Sequence, residues 1–185
     1  MADLTTLPKV KEWLGLAPMN TTSDALLGRL ITSASDYIQT WLDRTVTAGT
    51  YTENRDGNGA LRMKFRNYPC TAVSSLTIDR LPIPMSVNGS PGYMFDSNSL
   101  VLVGGVYRFT QGMMNVSISY SAGYASVPNE IEQACIELVS LRFKERDRIG
   151  ITSKGMSGES ISFSQRDMSD AIESTLNQYK RVVPI

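Results

Sequence analysis

The chain has 185 residues, 18 Lys+Arg balanced by 18 Asp+Glu, and no histidine. That length fits one domain, or a domain with a sizeable insertion, and can bury a core without disulfides or a structural metal. The missing histidine excludes Ser-His-Asp and Cys-His relays, His-ligated zinc and an imidazole pH switch. Zero net charge argues against a dedicated nucleic-acid binder while leaving room for a small basic patch.

The opening Met-Ala-Asp-Leu-Thr-Thr lacks the basic and apolar regions of a signal peptide. No segment reaches the 18 apolar residues of a membrane span. A soluble intracellular product with no membrane contact is expected. Residues 4–44 read as two helices. The first runs from Thr6, its N-cap, to Leu14, with Pro8 in the first turn, where a missing N–H costs little. Leu7, Val10, Trp13 and Leu14 share a face, which predicts core positions, and Gly15 can stop the helix. Thr22 or Ser23 then caps a long helix to about Asp43. Its apolar residues Leu26, Leu27, Leu30, Ile31, Ala34, Tyr37, Ile38, Trp41 and Leu42 recur every three or four positions.

The pattern changes at Thr45. Leu61, Met63 and Phe65 alternate with Arg62, Lys64 and Arg66; Val116, Ile118 and Tyr120 alternate with Ser117 and Ser119. Asp56-Gly57-Asn58-Gly59 carries hairpin turn residues and predicts that Tyr51–Arg55 pairs with Ala60–Arg66. Further strands are expected at Val73–Arg80, Leu100–Val103, Val106–Thr110 and Met113–Ser121, with prolines 82, 84 and 91 marking breaks or edges.

Helix returns at Pro128, with Ile131, Ala134, Cys135, Leu138, Val139 and Leu141–Phe143 as a wide apolar face and Gly150 as its end. Its acids, Glu130, Glu132 and Glu137, lie toward the start, and Arg142, Lys144, Arg146 and Arg148 toward the end, which complements the helix dipole. Residues 151–166 read as a flexible or hairpin-like segment. A last amphipathic helix begins near Asp167, with Met168, Ile172, Leu176 and Tyr179 on one face, and Val182-Val183-Pro184-Ile185 follows as an apolar tail. The fold class expected is α+β: a bundle of N- and C-terminal helices (1–44 and 127–185) with an inserted antiparallel β-rich subdomain (45–126).

Few residues offer chemistry. Gly155-Met156-Ser157-Gly158 lacks the spacing of a nucleophile elbow and a histidine to activate the serine. Ser153-Lys154, a dyad by composition, are neighbours that rarely face each other. Glu53, Asp56 and Asn58 fall short of a calcium loop, which needs six to eight oxygens and a bidentate glutamate. No catalytic residue, metal or cofactor is expected. Cys70 and Cys135 are far apart, form no CxxC pair, and read as free thiols in a reducing compartment, Cys135 in the core. The densest charge cluster, Arg142, Lys144, Glu145, Arg146, Asp147 and Arg148, fits a solvated helix end, a subunit interface or a phosphate contact; its interleaved acids favour subunit pairing over DNA. Tyr93, Phe95, Tyr107, Phe109 and Tyr124 are either platform aromatics for a glycan or protein ligand, or strand core.

The order LTTLPKVKEWLGL, SDALLGRLITSASDYIQTWLDR, a DGNG…LRMKFRNYPCTAVSSLTID block, VPNEIEQACIELVSLRFKERDRIG and a short helix ending LNQYKR resembles the head–tail connector, or head-completion adaptor, proteins of tailed bacteriophages and prophages. The resemblance implies a non-enzymatic protein of the virion neck, assembled in the host cytoplasm as a homo-oligomeric, commonly dodecameric ring. It would sit under the portal protein, contact the next neck or tail-completion protein, and pass double-stranded DNA without sequence preference. It further implies that the C-terminal helix and tail engage the portal, with Tyr179, Lys180, Arg181, Val182, Val183 and Ile185 as candidate contacts. A tail-associated module whose β-block recognises a glycan or protein is the alternative.

Overall fold

The computed structural model describes residues 2–146, 153–156, 159–162 and 168–180. The fold is α+β, and the chain divides into two compact units, Met1–Arg44 with Val127–Ile185, and Thr45–Ser126.

The first unit holds α1 (Leu7–Leu14), α2 (Asp24–Trp41), α3 (Asn129–Glu145) and α4 (Asp170–Asn177). Proline in the first turn starts α1. Gly15 ends it in the left-handed conformation (φ 69°), so its N–H and that of Leu16 reach the carbonyls of Glu12 and Lys11. Leu27, Ile31, Ala34, Ser35, Ile38 and Gln39 form the buried stripe of α2. On α3 the buried set is wider: Ile131, Ala134, Cys135, Ile136, Leu138, Val139 and Ser140, because α1, α2 and α4 all pack on it. Ser35 accepts the Leu4 N–H at 2.9 Å and lies 3.7 Å from the Cys135 sulfur, so small side chains mark the close approach of α2 to α3. At α4 the Ser169 hydroxyl accepts the Ile172 N–H at 3.3 Å, and Ile172 and Leu176 are buried.

The second unit pairs two antiparallel sheets. One has the order β1-β7-β3-β4, from β1 (Gly49–Gly57), β7 (Gly112–Ala122), β3 (Cys70–Ile78) and β4 (Leu81–Pro82). The other is β2-β6-β5, from β2 (Arg62–Lys64), β6 (Ser99–Val103) and β5 (Gly92–Phe95). Both feed one core: Leu76, Val116, Ile118 and Tyr120 from the first, Met63, Tyr93, Leu100 and Leu102 from the second, with Phe65 and Phe109 from flanking segments. Tyr120 stacks at a tilt on Phe65, with centroids 4.7 Å apart.

The expected hairpin about residues 56–59 does not form. Tyr51 pairs with Tyr120 on β7, and Met63 pairs with Leu100 on β6, so this turn is a corner carrying the chain from one sheet to the other. Gly57 is needed there for room: a Cβ would fall 1.8 Å from the Thr110 carbonyl oxygen. Residues 106–110 carry no strand; Phe109 is nonetheless buried, its N–H bonded to the Ala60 carbonyl at 3.1 Å. Within 151–166, β8 (Ser153–Met156) and β9 (Glu159–Ser162) form an antiparallel pair. The helix end expected at Gly150 lies outside the described residues.

Both tryptophans, Trp13 and Trp41, belong to the helical unit, so their fluorescence follows its unfolding separately. Leu176→Ala should lower the stability of that unit in a urea titration by about 2–5 kcal/mol, as for other buried Leu truncations. Glu173→Ala on the exposed side should stay within about 0.5 kcal/mol. Equal midpoints for the two variants would show that α4 is not docked on α3.

Candidate interaction site

Helix α3 is charged in opposite senses at its two ends, and the candidate residues cluster around them. At the N-terminal half, Glu132 accepts two hydrogen bonds from the Lys9 ammonium on α1, at 2.7 and 2.8 Å. Glu137 accepts from the Gln133 amide at 2.9 Å, and Glu130 accepts from the Tyr179 hydroxyl beyond α4. Lys9, Glu12 and Trp13 on α1 and Asn129, Glu132, Gln133 and Ile136 on α3 line an open groove of about 490 Å³.

Trp13 is 52% exposed, contrary to the expected core position. The inward side of this eight-residue helix is set by Val10 and Lys11, which leaves the indole at the lip of the groove. Lys11 is itself a buried cation: its ammonium lies 2.5 Å from Asp24 at the start of α2 and donates to the Pro18 carbonyl at 3.3 Å, tying down the α1–α2 loop. Nothing in the apolar pattern announced an ammonium at that position.

At the other end of α3, Arg142 stacks 5.0 Å over the Tyr37 ring and donates to the Ser33 hydroxyl at 3.3 Å. Arg146 sits 4.3 Å over the Phe143 ring. Lys144 is exposed and Glu145 half-buried; Asp147 and Arg148 lie outside the described residues. Of the residues expected at the portal, Tyr179 bonds to Glu130, and Lys180 lies 4.3 Å over Trp41. Arg181, Val182, Val183 and Ile185 lie outside the described residues. From Glu130 to Arg146 the helix rise amounts to ~24 Å, so the two candidate clusters stay apart.

Other groupings dissolve in three dimensions. Glu53 accepts from the Tyr120 hydroxyl between Arg55 and Arg66, at 3.9 and 3.8 Å, while Asp56 accepts the Met114 N–H at 2.6 Å and Asn58 the Ala60 N–H at 3.0 Å. The first two oxygens tie β1 to β7 and the third caps the corner that follows, so they serve different partners. Among the described residues no group of three or more His, Cys, Asp or Glu could hold a metal. Tyr93 and Phe109 are buried, and Phe95 and Tyr107 pack against the same core, so these four do not form an exposed platform; Tyr124 is half-buried. No described helix is long and apolar enough to cross a membrane.

Both thiols are free and buried. Desolvation pushes Cys70 up to about 11, and likewise Cys135 to about 11, in the latter case against a hydrogen bond with Ser35 that lowers it.

The site is thus an aromatic-lipped groove and a pair of oppositely charged helix ends on a small α+β chain. Three solved structures share its fold over 100% of this chain and 96% of theirs. A chain from the neck of an empty GTA particle determined with C6 symmetry has a TM-score of 0.58 and 12% identity. One from the neck of a native GTA particle determined with C12 symmetry has 0.58 and 13%. One from the virion of a native gene transfer agent particle has 0.57 and 16%. A search of curated proteins finds no match. The sequence itself decides the family: residues 3–182 match the model named Head completion protein, and the chain belongs to that family.

The buried thiols give a pH dependence of definite sign. The folded chain keeps the two thiol protons to higher pH than the unfolded chain does. Their contribution is therefore fully present below pH 9 and is lost as the pH rises through about 11. Urea midpoints should fall across that window, and a thiol reagent at pH 8 should label neither cysteine until denaturant is added. Rapid labelling of the native chain would contradict both.

Proposed function

We propose that this chain is a non-enzymatic head–tail connector of the virion neck. It forms a homo-oligomeric ring beneath the portal, joins the DNA-filled head to the tail, and assembles in the host cytoplasm. The observation that carries this reading is the family match, which spans both compact units. The structures sharing its fold come from particle necks determined with C6 and C12 symmetry, which supports a ring of twelve here.

Chemistry supports the partners. A protein lining a DNA passage must not hold the duplex, and zero net charge limits the phosphate attraction that would slow transit. The apolar face of α4 is already covered by α3. Tyr179 and Lys180, bonded to Glu130 and stacked on Trp41, therefore act by positioning the residues that follow. In this reading residues 181–185, Arg-Val-Val-Pro-Ile, make the portal contact; the next neck or tail-completion protein meets another face of the ring.

Electron microscopy of the chain mixed with its portal should show rings seated on the portal. Deleting residues 181–185, which removes none of the buried residues of α4, should weaken portal binding at least tenfold in a pull-down titration while leaving the fluorescence-detected unfolding midpoint unchanged. A chain that stays monomeric and ignores the portal would overturn the connector reading. Unchanged affinity after the deletion would overturn the tail contact alone.

A further inference from the structure

We propose that the groove between α1 and α3 receives the C-terminal end of α3 from a second copy of the chain, in a head-to-tail contact centred on Trp13, Glu12 and the partner's Lys144. This deepens the ring reading above and rests on it.

Charge supplies the first argument. Glu12 and Glu132 line the groove with the cation Lys9, while Glu130 and Glu137 lie elsewhere on α3; at the far end of α3 stand Arg142, Lys144 and Arg146 against Glu145. Most of these groups are engaged within the unit, Glu132 by Lys9, Glu130 by Tyr179, Arg142 by Tyr37 and Ser33. Glu12 and Lys144 are exposed and make no ion pair among the described residues. They are opposite charges, and the helix rises ~18 Å from Glu132, which lines the groove with Glu12, to Lys144, which keeps them from meeting within one copy.

Shape and polarity supply the second. The groove of about 490 Å³ has Ile136 in its wall and the half-exposed indole at its lip. Tryptophan is among the residues most enriched in the few positions that carry interface binding energy. The opposite end presents Phe143, half-buried under Arg146, an amphipathic knob of matching character.

Symmetry supplies the third. Two grooves meeting face to face would set Glu12 against Glu12, and two basic ends would repel likewise, so a two-fold dimer is disfavoured at either patch. Groove to basic end is a heterologous contact, the type that propagates and closes into a ring when the rotation per copy permits.

The test uses the full chain, whose buried native thiols leave the introduced ones to react. Under mild oxidation, E12C/K144C should form a ladder of dimers, trimers and larger species, at least ten times faster than E12C or K144C alone. The control E12C/E173C, which uses the exposed side of α4, should form no such ladder. Trp13→Ala in the E12C/K144C background should slow the ladder several-fold with the unfolding midpoint unchanged. Without the introduced cysteines, E12K and K144E should each weaken self-association several-fold in light scattering, and the double exchange should restore it. Scattering by the native chain, alone and with portal, separates the two levels. If native rings form but the E12C/K144C ladder is no faster than the control, this contact is wrong and the ring stands. If no assembly forms under any condition, both fall.

Discussion

A helix buried around most of its circumference is unstable alone, and α3 is such a helix. Its buried positions, Ile131, Ala134, Cys135, Ile136, Leu138, Val139 and Ser140, cover far more than the one stripe of a surface helix, and three partners are required to shield them. Two of those partners, α1 and α2, lie before the β unit in sequence, and the third, α4, lies after α3. The helical unit is therefore defined by long-range packing on one element. Its details follow from that: the serine at position 35 set against Cys135, the acids Glu130 and Glu132 in the first turn of α3 and the bases Arg142 and Lys144 in its last, and the ion pair that steadies the α1–α2 loop.

The β unit obeys a different constraint. Two short sheets share one core, so the chain must change sheets without a tight hairpin. It does so at the 56–59 corner, where glycine lets the backbone pass the Thr110 carbonyl. The Asn115 side chain holds that corner by accepting the Gly57 N–H at 2.8 Å and donating to the Thr110 carbonyl at 2.9 Å. The carboxylate of Glu53 is nearly buried beside Tyr120, with Arg55 and Arg66 supplying the compensating charge. Glu53, whose neighbourhood in sequence falls short of a calcium loop, is a structural acid.

The long periodicities were legible. Asp24–Trp41 appears close to the reading and Asn129–Glu145 begins as read, because eighteen- and seventeen-residue amphipathic patterns leave little alternative, and Gly15 ends α1 as its left-handed geometry allows. Pairing between strands was not legible, since Asp-Gly-Asn-Gly signals a turn but not which strands flank it. β5, only Gly92–Phe95, is too short for alternation to register. At the site, the charge asymmetry of α3 was visible in the order of its residues. The exposure of Trp13 was not, because the same spacing that suggests a core stripe also fits the lip of a groove, and only the position of α3 distinguishes them.

The interruption of the helical unit in sequence has a consequence for biosynthesis. On the ribosome, α1 and α2 are complete long before α3 exists; the span from Arg44 to Val139 passes in on the order of 5–20 s at ordinary elongation rates of about 5–20 residues per second. The β unit, contiguous from Thr45 to Ser126, has all its strands in hand first. It can therefore close while the apolar stripe of α2, with Leu27, Ile31 and Ile38, still waits for its cover. An apolar surface that later becomes helical core is uncovered in that interval, and such surface favours premature association.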